Sequence, residues 1–138
     1  MPNKYYLDTC IWLDYWENRK DKFRPLGEWA LGLVNKIIKD KDIILYSEVV
    51  EIELRKRISE HDIKNIFSIL PRRLLIKINI SESEKKEAYF LSKKTRVYFN
   101  DVLHAILARN HGAVLVTRDK HFLELNLFLN VKKPEDLL

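Results

Sequence analysis

Four carboxylates stand at or just beyond the ends of the chain's short apolar runs: Asp8 in YYLDT, Glu53 in SEVVEIEL, Asp101 in FNDVLHA and Asp119 in VLVTRDKHF. In a parallel α/β sheet the strand ends converge on one edge, so these distant residues could form one acidic pocket. Such a pocket repels itself unless a divalent cation or shared protons compensate. Oxygen donors of this kind suit Mg²⁺ or Mn²⁺, which retain several waters and bind substrate phosphates.

Taken singly, each acid has an ordinary structural explanation. Asp8 could be a helix N-cap, and Asp119, after VLVT, a turn residue or cap. Asp101 opens a helix that is apolar nearly all round, and Asn100 is an equal candidate for its cap. The positive end of that helix favours an ionised Asp101. In SEVVEIEL, helical phasing puts Val49, Val50, Leu54 and Ile58 on one apolar arc, with Glu53 between Val49 and Val50. Glu48 and Glu51 fall on the far side. An inward Glu53 is costly unless it is paired or bound to metal, and a salt bridge explains it about as well as a function does. The joint pattern is harder to dismiss: three acids sit where strand ends place ligands, and the fourth faces inward on the helix after the second strand.

Around them, Thr9, Ser47 and Thr117 could hydrogen-bond a carboxylate or a water. His121 is as easily exposed as turned to the pocket. His104, three residues after Asp101, reads more readily as a core histidine than as a group supporting the site. Cys10 reads as packing, as do Trp12 and Trp16, spaced i, i+4. There is no Gly-rich phosphate loop and no GxSxG nucleophile motif. The formal net charge of +5 would attract a polyanion such as nucleic acid. Basic residues cluster at Arg55 to Arg57, Arg72 and Arg73, Lys93 to Arg96, and Lys132 and Lys133, although any one cluster alone reads as a solvated surface.

The elements needed to position these groups are legible. KYYLD, DIILYS, LLIKINI, AVLVT and LFLNV read as strands. Helices are expected over 10–17, over 24–40, from a Ser47 cap to about Ser59, over 62–70 before Pro71, in SESEKKEAYFLSKK with a Ser81/Glu84 capping box, and in NDVLHAILARNHG, closed by Gly112. A short turn or helix follows at 119–124. Strands alternating with helices imply α/β architecture, three layers α/β/α around a central parallel sheet. The 138 residues suit a single domain, 1–138, able to bury roughly 68% of its unfolded surface. One cysteine excludes an internal disulfide and points to a reducing compartment. With no apolar run of membrane length, the expected setting is the cytoplasm.

The order and spacing of YYLDTCIW, SEVVEIEL and NDVLHAILARNHGAVLVTRDKHF resemble a PIN domain over nearly the whole chain, and more narrowly the VapC-type toxins of toxin–antitoxin systems and their archaeal relatives. The last block is the most specific. By position Asp8, Glu53, Asp101 and Asp119 match the family's four acids. The resemblance implies a PIN-like fold and Mg²⁺- or Mn²⁺-dependent cleavage of RNA. Asp8, Asp101 and Asp119 would hold metal, with Glu53 holding metal or orienting the attacking water. It also implies a cognate antitoxin covering the pocket, and commonly a homodimer. Arg55, Lys56, Arg118 and Lys120, placed near the rim by sequence position, would hold the RNA backbone. Where the family often has a further Asp two residues after the fourth acid, this chain has His121, which implies weaker metal occupancy or a single ion. One alternative is a PIN domain with little or no activity that serves as an RNA- or protein-binding module. The other, a Mg²⁺-dependent phosphotransfer domain, is disfavoured because no acid stands two residues after Asp8.

Overall fold

The run KYYL forms strand β1 (Lys4–Leu7) and buries Tyr5, Tyr6 and Leu7. Near-continuous burial of this kind marks a strand covered on both faces, as parallel sheets require. Strands β2 (Ile43–Tyr46), β3 (Leu75–Lys77), β4 (Val114–Val116) and β5 (Val131–Lys132) join it, all pairs parallel, in the order β3-β2-β1-β4-β5. The computed structural model describes residues 1–125, 127 and 129–138. Within them the helices are α1 (Thr9–Glu17), α2 (Leu26–Asp40), α3 (Glu48–Arg55), α4 (Glu60–Ser68), α5 (Glu82–Thr95) and α6 (Phe99–Asn110). Helix α1 packs on α2 and α3, and α3 on α4; α5 and α6 form a second packed group. With the sheet they make the expected three layers, α/β/α.

Chain order explains the site. After β1, β2 and β3 step outward on one side; the chain then crosses to β4 and β5 on the other. The strand order therefore reverses between β1 and β4, the place where open parallel sheets bind ligands, beyond the strands' carboxyl ends. Helix α6 leads into β4 from the opposite direction, so its N-terminus, with Asp101, returns to that same edge. Helix α6 is the central helix its composition predicts: Val102, Leu103, His104, Ala105, Ile106, Leu107 and Ala108 are all buried.

Several element ends differ from expectation. The helix expected from 24 starts at Leu26, after Pro25. The helix after β2 stops at Arg55 rather than near Ser59, because Ser59 accepts from the Asp62 backbone N–H (3.1 Å) and caps α4 instead. Ser47 precedes α3 but makes no side-chain cap bond. Of LLIKINI, Leu75–Lys77 pair as a strand. The last strand is Val131–Lys132; of the segment expected there, 127–131, Phe128 lies outside the described residues. The Ser81/Glu84 capping box forms as read, and Gly112, at φ +63°, takes the left-handed position that turns the chain from α6 toward β4. Among the described residues no helix is long and apolar enough to cross a membrane.

Candidate metal centre

Asp8 follows β1 and caps α1: its Oδ1 accepts from the Thr9 backbone N–H at 2.8 Å. Its Oδ2 accepts from Thr117 Oγ1 (2.8 Å) and from Cys10 Sγ (3.4 Å). Thr117, just past β4, also accepts from the Asp119 backbone N–H (3.1 Å). One buried threonine thus ties together the two strand ends that carry Asp8 and Asp119. The Cys10 thiol is pushed well up by burial and by the charge of Asp8, which keeps it protonated and suits it to donating rather than attacking.

Glu53 is the end of a buried relay. Its Oε1 accepts from Thr9 Oγ1 at 2.8 Å and pairs with His104 Nε2 at 2.6 Å. On the far side of the ring, His104 Nδ1 lies 2.6 Å from the Tyr6 hydroxyl, which in turn lies 2.7 Å from Ser47 Oγ. Burial alone would raise the Glu53 carboxyl. The His104 bond and charge, the Thr9 bond and Lys56 outweigh it and hold the carboxyl below its ordinary value. An ionised Glu53 requires Nε2 to carry a proton, so His104 donates there. Burial pulls His104 down, yet its bond to Glu53 and the charges of Asp8, Glu53 and Asp101 leave it raised. Glu53 Oε2 has no hydrogen-bond partner among the described residues.

Asp101 does not cap its helix; Tyr98 occupies that position, without a side-chain cap bond. Burial first, then the charge of Asp8, push the Asp101 carboxyl up to about 6; His104 opposes them, and Asp119 and Glu53 add lesser upward effects. Asp101 therefore feels the charge of each of the other three acids. Donor atoms of Asp8, Glu53 and His104 all lie within 4.8 Å of one another. His104 is fully buried with both ring nitrogens engaged, which suits it to holding Glu53 rather than to ligating. Among the described residues none of the four acids pairs with a lysine or arginine. Convergent carboxylates paired, among the described residues, with histidines but with no lysine or arginine, and with carboxylate oxygens still free, fit a hard divalent cation.

The remaining candidates are spread around this centre. His121 approaches Asp119, its Nδ1 and its backbone N–H both 2.9 Å from Oδ1. Lys56 and Lys120 are exposed. Arg55 is paired with Glu60 and Glu51. Arg118 departs from the rim role expected of it. Its Nε donates to buried Asp14 (3.1 Å), its Nη1 to both oxygens of Glu135 (2.9 and 3.0 Å), and its guanidinium stands 5.6 Å from the Trp29 ring centre. Glu51, expected in solvent, is partly buried because Lys77 of β3 reaches it at 2.6 Å. Asp119 and Lys120 share a hollow of about 280 Å³ with Lys132 and Lys133. His104, which the sequence reads more readily as a core histidine than as a group supporting the site, is both: buried with its ring nitrogens engaged, and bonded to Glu53. Its placement three residues after Asp101, polar within an otherwise apolar helix, was the available signal.

A family model, PIN domain, matches residues 5–126. Curated proteins give no match. In shape the chain is similar to VapBC2 from Rickettsia felis, solved bound to a DNA fragment from the promoter (TM-score 0.69, 20% identity, covering 94% of this chain and 98% of that one). It is also similar to a toxin–antitoxin complex from Klebsiella pneumoniae (0.63, 19%, 94% and 97%) and to VapBC-1 from nontypeable Haemophilus influenzae (0.64, 21%, 96% and 98%). At these identities the likeness is one of fold.

Proposed function

The chain belongs to the PIN domain family, and from that premise we propose that it is a Mg²⁺- or Mn²⁺-dependent endoribonuclease, the VapC-type toxin of a type II toxin–antitoxin pair. The reading extends to a single catalytic domain over 1–138 that acts in the cytoplasm and is covered by a cognate antitoxin. The toxin–antitoxin proteins among its fold neighbours support that partner. The observation that carries the reading is the convergence of Asp8, Glu53, Asp101 and Asp119 with, among the described residues, no lysine or arginine paired to them.

Asp8, Asp101 and Asp119 would hold the cation, and Glu53 would join them or orient the attacking water. When bound, the ion supplies charge neutralisation at the scissile phosphate and lowers the pKa of water. Thr117 anchors Asp8 by donating to its Oδ2. Thr9 and His104 both donate to Glu53 Oε1, which leaves Oε2 to accept a proton from the water. Tyr6 and Ser47 hold the imidazole from behind. Lys56, Lys120, Lys132 and Lys133 lie where they can take flanking phosphates.

A cleavage assay with Mg²⁺ or Mn²⁺ on wild type, Asp8→Asn and Asp101→Asn tests this. Cleavage should require the metal and fall by more than about a hundredfold in either variant. Equal activity in the variants would sink the assignment. A second reading, a weakly active or inactive PIN module that binds RNA or protein, is favoured by His121, which occupies Asp119 Oδ1 twice over. Intact RNA binding with no Mn²⁺ binding would select it.

A further inference from the structure

We infer that Tyr98 and Phe99 form a stacking subsite for one unpaired nucleobase of the RNA, beside the carboxylates. This deepens the nuclease reading and rests on it for the identity of the ligand. Tyr98 is 83% exposed and Phe99 37% exposed. Other aromatic side chains are also exposed, Phe23 among them; what distinguishes this pair is its position. Together with Asn100, both line an open cavity of about 490 Å³ whose other walls are Glu53 and Asp101. On a second side Tyr98 lines a hollow of about 240 Å³ with Arg96 and His121. Its backbone is fixed, since its carbonyl accepts from the Val102 N–H at 3.0 Å, while its ring is free.

An aromatic face next to a site for phosphate chemistry matches the chemistry of a polynucleotide. The phosphate would lie at the carboxylates with their cation, the adjoining base on the Tyr98 ring, and Arg96 within range of the next phosphate. Single-stranded nucleic acid is held in this way, by stacking on aromatics within a charged groove, and the contact tolerates any base. A base inside a duplex already has neighbours on both faces, so the subsite requires an unpaired one. A second protein chain fits less well. Two aromatic residues fall far short of the roughly 20–30 residues a side of a stable interface, and an apolar partner would bury the neighbouring carboxylates unpaired.

The test measures binding by fluorescence anisotropy with Ca²⁺, a weaker Lewis acid that still supplies the counter-charge the carboxylates need, in place of Mg²⁺ or Mn²⁺. The probes are a fluorescein-labelled single-stranded oligoribonucleotide and a duplex of equal length. Tyr98→Ala should bind the single strand about tenfold more weakly, or worse, while Tyr98→Trp holds it as tightly as wild type. Phe23→Ala should change nothing, and the duplex should bind more weakly than the single strand. Unchanged affinity of Tyr98→Ala for the single strand overturns the inference, as does equal binding of duplex and single strand. A variant that keeps its RNA affinity but sediments as a smaller species shows instead that the pair contacts another copy, and also overturns it. Tyr98-dependent binding by a protein that never cleaves with Mn²⁺ would remove the nuclease reading and leave the subsite standing.

Discussion

Asp101 carries the cost of the site. An acid whose value is raised on folding holds its proton more tightly in the folded chain, so ionising it opposes folding. The loss of stability accrues as pH rises from its ordinary 3.8 through about 6 and is complete above that. His104 adds to the same trend, because its stabilising pair is fully present below its ordinary 6.5 and fades as pH passes its raised folded value. Metal-free protein should therefore melt at a higher temperature near pH 5 than near pH 8. Asp101→Asn should flatten that slope and stabilise the metal-free chain near pH 8 by on the order of 1 kcal/mol, allowing for solvent screening of a half-exposed carboxyl. Calorimetry in EDTA measures both; a clear loss of stability in Asp101→Asn would contradict the account. Because Asp101 must shed its proton to ligate, Mn²⁺ affinity should also fall steeply below about pH 6, measurable by titration calorimetry. For the relay, Tyr6→Phe removes the partner of His104 Nδ1 and should cost about 1–2 kcal/mol of stability. It should lower kcat more than it changes KM, since Glu53 loses support rather than its reach toward RNA. The legible part of this centre was Glu53, because Val49, Val50 and Leu54 on its own helix define the buried arc. His104 was not legible as a member, because its partners Tyr6 and Glu53 come from two other segments, β1 and α3.

At the scale of elements, local signals were readable where their partners are local and misleading where a distant group competes. The Ser81/Glu84 box needs only its own turn and forms as read. Ser47 has the same residue type at a helix start, yet its hydroxyl lies against Tyr6 and leaves α3 without a side-chain cap. Lys77 does the same to Glu51, drawing it to the sheet edge from another strand. The crossing of α1 and α2 rests on Gly27, where an added Cβ would meet Asn18 Cα at 2.5 Å and the Asp14 carbonyl oxygen at 2.7 Å. These are backbone atoms that cannot step aside. Gly27→Ala should therefore cost about 1–3 kcal/mol in denaturant unfolding. Since α1 begins at Thr9, beside Asp8, residual cleavage should fall along with stability; an unchanged midpoint would show that the two helices can slide apart freely.

Across the whole molecule, a net charge of +5 surrounds a centre that is locally acidic. The exterior draws a polyanion in, and the carboxylates can accept its phosphate only with a counter-charge present. RNA affinity should fall with salt in proportion to the number of phosphates neutralised. Replacing Lys132 and Lys133 with Gln should reduce the log–log slope by about 1.4, at roughly 0.7 for each of two phosphates no longer neutralised, without abolishing cleavage. An unchanged slope would move the RNA path elsewhere. The architecture was readable because strands and helices alternate and each is strongly patterned. The path of the tail was not, since Arg118 reads in sequence as one more surface cation.

That arginine gives the far end of the chain an unexpected duty. Arg118 stands between Thr117 and Asp119, and its guanidinium is clasped by Asp14 of α1 and by Glu135, close to the last residue. Leu138 also approaches Gly32 of α2. The closing residues thus act as a buckle on the loop that presents the fourth acid. Trimming 134–138 would leave a sheltered cation half unclasped and slacken Asp119 without touching it. A chain lacking 134–138 should bind Mn²⁺ less tightly in titration calorimetry, although none of the four acids has been altered.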